Sequence, residues 1–254
     1  MKSSTIDLAS CAARCIVISP HLDDAALSCG GLISELSRQI PVEVWTIFCG
    51  APLWGPYSSV AQWLHGVCGG KTGARLMATR RMEDRHAMRL LGAQSWTHFR
   101  WYDSVYRKTF WNQFLYADCR QTHWHSADDK WVRTIGAQLN HRLKPDDILI
   151  GPASIGKHVD HLITTAACKS LNCNRIFWYA EVPYLQRFPD EFLEFSANMT
   201  QVNASISLES VASWKQSVAM YSSQLQMLSE PCGDIFDLIN GYAAQAQCRL
   251  FRAN

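Results

Sequence analysis

The chain has 254 residues, 48% of them hydrophobic and 18% charged, with a formal net charge of +2. That balance describes a protein with a sizeable core and excludes a disordered chain. Lys and Arg are scattered, with no electrostatic footprint for nucleic acid, and no apolar run approaches the roughly 20 residues that span a bilayer.

Strand and helix signals alternate along the sequence. Cys15 to Ser19 reads as a buried strand and Ala25 to Arg38 as a helix with Leu27, Leu32, Ile33 and Leu36 on one face. Asp23 or Asp24 falls near its N-cap, where a carboxylate meets free N–H groups. Val42 to Cys49 is a second strand, followed by a loop rich in Gly, Pro and aromatics from Gly50 to about Gly73. Arg75 to Leu91 is helical and closed by Gly92; Ser95 to Trp101 is a third strand. Asp103 to Trp124 is irregular and crowded with Trp, Tyr and His. Asp128 to Leu143 is a helix, Asp147 to Ile150 a strand, Val159 to Leu171 a helix and Arg175 to Tyr179 a strand. Thr200 to Leu208 alternates like a strand, and Ser210 to Leu228 reads as one helix. The alternation predicts βαβ units: an α/β fold, Rossmann-like, with a mostly parallel sheet flanked by helices. With no repeat or linker, one domain over 1–254 is expected, with a core at about 14–185 and a C-terminal strand/helix extension at 186–254.

The ten cysteines include no Cys-x-x-Cys pair, against a structural zinc knuckle. Cys15, Cys49 and Cys168 lie in apolar runs, where a thiol packs as a small hydrophobe. No secretory leader is evident, so a cytoplasmic protein with reduced thiols is expected.

Two clusters carry the chemistry. Ser19-Pro20-His21-Leu22-Asp23-Asp24 ends the first strand, and Gly156-Lys157-His158-Val159-Asp160-His161 follows the strand Asp147–Ile150 and opens a helix. Parallel strands bring their carboxyl ends to one edge, so the clusters can converge. His21, Asp24 and His161 then give two imidazoles and one carboxylate with a position left for water, the ligand arithmetic of a catalytic zinc site. Asp23, beside a ligand but not one itself, is left to take a proton from water. His158 can protonate a leaving amine or stabilise an oxyanion, and Asp160 can fix the tautomer of a neighbouring histidine. Either cluster alone is a weak signal, since an Asp pair after a strand is commonly a cap; the pair at matching junctions is much stronger.

The two motifs together resemble those of the PIG-L/LmbE-like deacetylases, zinc hydrolases that remove acyl groups, usually acetyl, from amino sugars. Gly30-Gly31, the Arg80-Arg81-Met82-Glu83-Asp84 helix and Glu181-Val182-Pro183-Tyr184 extend the likeness, which runs from about residue 14 to 185. The resemblance implies zinc held by His21, Asp24 and His161, with Fe²⁺ or Co²⁺ as other candidate ions. It also implies Asp23 as general base, His158 as acid or oxyanion partner, and a Rossmann-like domain without a dinucleotide. Leu22 and Ala25 stand where many members have Pro and Glu, and Gly156 where some have Tyr. None of these departures touches a proposed ligand.

The expected partner is a small N-acylated, sugar-like molecule, with Arg80, Arg81 and Tyr106 as candidate substrate contacts. Two alternatives stay open: a metal-dependent amidase acting on a non-sugar amide, and a binding homologue that has lost catalysis.

Overall fold

The computed structural model describes residues 3–70, 72–229, 233–243 and 247–253. Eight strands form one sheet: β1 (Ser3–Thr5), β2 (Arg14–Ser19), β3 (Val42–Thr46), β4 (Ser95–His98), β5 (Asp147–Pro152), β6 (Ile176–Tyr179), β7 (Met199–Ser205) and β8 (Gln247–Ala253), in the order β1-β7-β8-β6-β5-β2-β3-β4. From β6 to β4 every pairing is parallel, as the βαβ alternation predicts. β8 runs antiparallel between β6 and β7, so the C-terminal extension completes the sheet rather than standing apart from it.

β2 sits at the centre of the parallel run from β6 to β4, where the strand order reverses between β5 and β3, and α/β folds open a crevice at the carboxyl ends beside such a reversal. Cys15, Ile16, Val17 and Ile18 are all buried, with Cys15 and Val17 in the core on one face and Ile16 and Ile18 in the core on the other. That is the continuous apolar run a strand covered on both sides requires.

The helix Asp24–Ser37 lies under the helix Leu208–Ala219 at unusually close range. A Cβ on Gly30 would fall 2.2 Å from the Trp214 indole, and one on Gly31 would lie 3.0 Å from it. Trp214 donates from Nε1 to the Ala26 carbonyl at 2.6 Å. The Gly-Gly pair is what admits this ring, and the ring fixes the helix that carries the first motif.

Three expectations change. The stretch 50–73 contains a helix, Ser59–Val67, started by the Ser58 hydroxyl, which accepts from the Ala61 N–H at 3.1 Å. Its short apolar stripe is masked in the sequence by the surrounding Gly and Pro. The single helix expected over Ser210–Leu228 is two, Leu208–Ala219 and Leu225–Ser229. The break is tertiary: the Glu83 carboxylate accepts from Ser223 N at 2.8 Å and from the Ser222 and Ser223 hydroxyls, and Asp84 accepts from Tyr221. The third strand stops at His98 rather than Trp101, and Phe48 and Gly50 continue the contact with Arg100 and Tyr102 only as isolated bridges.

Cys15, Cys29, Cys49, Cys68, Cys119, Cys168, Cys173 and Cys248 are free thiols, six of them buried; Cys232 lies outside the described residues. Among the described residues, no helix is long and apolar enough to cross a membrane.

Candidate active site

β2 ends at Ser19, whose hydroxyl donates to the His21 carbonyl (2.6 Å) and accepts from Ala25 N (3.0 Å). The serine therefore does the capping that the sequence offers to the two aspartates. Asp23 precedes the helix with no capping bond, and its carboxylate meets Arg80 at 3.3 Å instead. Asp24 is the first helical residue, where a negative charge is favoured by the helix dipole. Its Oδ2 accepts from His21 N at 2.8 Å and lies 3.5 Å from His21 Nδ1 and 3.3 Å from His161 Nε2.

The second cluster leaves β5 through a left-handed turn, with φ of 69° at Ser154, 84° at Gly156 and 51° at Lys157. At Gly156 a side chain would also strike the Tyr184 ring, 2.6 Å from a Cβ placed there. Two distant carboxylates hold the turn. Glu181 accepts from Ser154 N (2.7 Å) and Ile155 N (3.2 Å), and Glu191 from Gly156 N (2.8 Å). His158 then caps the helix Val159–Lys169, its Nδ1 accepting from Asp160 N at 3.2 Å. His161 is fully buried, with Nδ1 3.2 Å from Glu181 Oε1. A carboxylate can only accept, so Nδ1 carries a proton, and in the neutral ring Nε2 is the atom that has the lone pair.

The electrostatics divide the cluster. Burial alone would lower the pKa of His161, but Asp24 and Glu181 outweigh it and push it up to about 9. His21 is likewise raised against the effect of burial, by Asp160 and Asp24. Burial and the neighbouring charge of His21 drive His158 the other way, well below the usual histidine range, so its ring is neutral. Burial raises Asp23 to about 7, opposed by Arg80 and aided by Asp24. Asp24 is held well below the usual carboxylate range because His161 and His21 overcome its burial.

This donor set fits a divalent cation. His161 Nε2 is buried and makes no hydrogen bond, an orphan beside a carboxylate oxygen. His21, His158 and His161 each offer a ring nitrogen within 4.8 Å of one another, and Asp24 lies between His21 and His161. Imidazoles with one carboxylate are borderline donors suited to zinc.

A cavity of about 160 Å³ opens on the cluster. His21, Asp23, Asp24 and His158 line it together with apolar residues that include Trp63, Leu64, Val182 and Met227. Asp160, fully buried, sets one oxygen 2.9 Å from His21 Nε2. Arg80 reaches the cavity but is paired with Asp23. Arg81 and Tyr106 do not line it. Arg81 donates to the Cys49 carbonyl at 2.6 Å, and the buried Tyr106 hydroxyl lies 2.8 Å from His65 Nε2. Glu181 and Asp103, 3.8 Å from His21 Nε2, join the cluster without having been singled out as site residues. The signal for Glu181 was its place in the Glu181-Val182-Pro183-Tyr184 stretch just past β6 that extends the family likeness.

Residues 16–172 match the family model described as PIG-L, GlcNAc-PI de-N-acetylase. A 2'-N-acetylparomamine deacetylase of Streptomyces fradiae is 26% identical over 179 residues, 67% of this chain. That match spans 57% of the relative's own length. Among solved structures, the zinc-inhibited form of a teicoplanin deacetylase superposes with a TM-score of 0.76 at 26% identity, covering 94% of this chain and 96% of that one. A deacetylase of the teicoplanin biosynthesis pathway, in a bog complex, gives 0.78 at 26% identity over 95% and 98%.

Proposed function

Because the chain belongs to the PIG-L family, we propose that it is a zinc-dependent N-deacetylase, hydrolysing the acetamide of an amino sugar to acetate and a free amine. The observation that carries this reading is the division of labour in the first motif. Asp24 faces both His21 and His161, while Asp23, one residue away, caps nothing and opens on the cavity.

His21, Asp24 and His161 would hold the ion, which when bound supplies Lewis acidity to polarise the amide carbonyl and acidify a water. Asp23 is the base. Held near neutrality by burial against Arg80, its carboxylate can accept the water's proton and, as the carboxylic acid, return it to the departing nitrogen. The water oxygen first adds to the carbonyl carbon, the C–N bond then breaks as the carbonyl re-forms, and the proton taken up by Asp23 ends on the amine. His158 is neutral, and its Nδ1 is engaged as a helix cap, leaving Nε2–H as its donor. That suits a hydrogen bond to the carbonyl oxygen as negative charge develops there.

The cavity and the likeness to a 2'-N-acetylparomamine deacetylase support this substrate class. Among the described residues that line the cavity Arg80 is the one Arg or Lys, and Asp23 neutralises it. A sugar without a phosphate beside the acetamide suits such a wall. Acetate release from N-acetylated amino sugars, phosphorylated sugars and simple acetamides, assayed with added Zn²⁺, tests the assignment. Turnover should be greatest on the unphosphorylated amino sugars; release only from non-sugar amides would replace this reading with a metal-dependent amidase.

A further inference from the structure

Resting on the metal reading above, we infer that Arg107 is a positioning residue for the zinc ligand set, acting through Asp160 on the His21 ring. Arg107 is 3% exposed, and its charge is enclosed. Its guanidinium carbon lies 4.8 Å from the Trp131 ring centroid, 5.1 Å from Tyr116 and 5.2 Å from Phe48. Nη2 pairs with Asp160 Oδ1 at 2.5 Å, and Nε pairs with Asp128 Oδ2 at 3.2 Å.

A buried guanidinium is costly unless it is fully paired, and an apolar side chain in such an aromatic cage is often at least as stable. Core stability alone therefore gives weak grounds for an arginine here. What the arginine does is hold Asp160. The other oxygen of that carboxylate accepts from Ser104 N at 3.0 Å and lies 2.9 Å from His21 Nε2. Asp160 thus has both oxygens engaged, Oδ1 in a buried ion pair with Arg107 and Oδ2 with backbone and imidazole. An acceptor at Nε2 keeps the proton of the neutral ring there, so the Nδ1 lone pair, on the side of Asp24 3.5 Å away, is the one the ring would offer to an ion. The arginine backbone is itself tied down: Arg107 N donates to Ser104 O at 3.1 Å and Arg107 O accepts from Leu115 N at 3.0 Å. From cage to ligand the chain is Arg107, Asp160, His21, each joined to the next by a single buried contact.

The test measures zinc affinity by chelator competition in the full-length protein. Removing Arg107 alone would strand two buried carboxylates, so Asp128→Asn serves as the reference background. Relative to that reference, Arg107→Met with Asp128→Asn should bind zinc about 10- to 100-fold more weakly, the range for loss of an outer partner of a ligand. Arg107→Lys in the same background should recover part of that loss. Affinity in the Met variant within about twofold of the reference would overturn the inference.

If the Met variant does not fold, the zinc-loaded wild-type protein decides the matter through ¹⁵N NMR of its histidines. His21 in the Nε2–H form supports the chain of contacts, and the Nδ1–H form overturns it. Wild-type protein that takes up no zinc would overturn the metal reading itself, whereas wild-type binding with an unaffected Met variant would overturn only the role of Arg107.

Discussion

The two junctions that deliver the site perform the same task with opposite construction. In the first, from Ser19 to Asp24, the capping side chains are its own: the Ser19 hydroxyl bonds the backbone at His21 and Ala25, and Asp24 bonds the backbone of His21, while Ile47 and Phe48 N–H groups meet the Ser19 and Pro20 carbonyls from the next strand's end. The second, from Ser154 to His161, is built from afar. Its left-handed turn is held by Glu181 and Glu191, and Glu181 also orients His161. A local junction keeps its shape from its own sequence; a remote one depends on the sheet having assembled. Disturbing each in turn should therefore give unequal results.

The largest effect is expected at Glu181. Glu181→Gln removes the charge that fixes His161 and weakens the bonds to Ser154 and Ile155. Zinc affinity should fall by about 10- to 100-fold, measured by chelator competition. Unchanged affinity would mean that the second junction does not need its remote anchor.

An intermediate effect is expected at Arg80, which touches the proposed base and not the proposed ligands. Arg80 lowers the pKa of Asp23. Arg80→Gln deprives the anion of its cation, so the pKa rises and the active, ionised form is lost at higher pH. The acidic limb of the kcat/KM profile should move upward by about one unit, roughly a tenfold loss below the limb. A limb that stays in place, or moves to lower pH, would remove Asp23 from the role of base.

The smallest effect belongs to the first junction. Ser19→Ala deletes one cap and should lower stability by about 1 kcal/mol in denaturant unfolding. Zinc affinity should stay close to that of the wild type, because Asp24 still bonds the His21 backbone. If Ser19→Ala lost zinc as severely as Glu181→Gln, the contrast between local and remote construction would collapse.

The same contrast explains what could be read in advance. The strand–helix alternation and the meeting of the two motifs were legible because they depend on apolar periodicity and parallel topology, which local sequence encodes. The helix Ser59–Val67 was hidden by its Gly- and Pro-rich flanks, and the break after Ala219 by bonds from Glu83 and Asp84, more than a hundred residues earlier. β8 enters between β6 and β7 from the far end of the chain, an insertion that no local pattern specifies. In the site, the residue types of the donor set were legible. The partners were not: Arg80 meets Asp23, Glu181 meets His161, and Arg107 meets Asp160 only in the folded protein. Tyr106 and Arg81 stood out by type and neighbourhood, yet the fold turns one toward His65 and the other toward the Cys49 carbonyl.

The central claim is that Asp24 holds the ion while Asp23, next to it, does the chemistry. Zinc stoichiometry and acetate release, measured together on wild-type protein and on Asp23→Ala, test it most directly. Both proteins should bind about one zinc per chain, and the variant should lose activity by about two to four orders of magnitude, the usual contribution of a general base. A wild type that binds no divalent metal, or an Asp23→Ala variant that turns over normally, would contradict it.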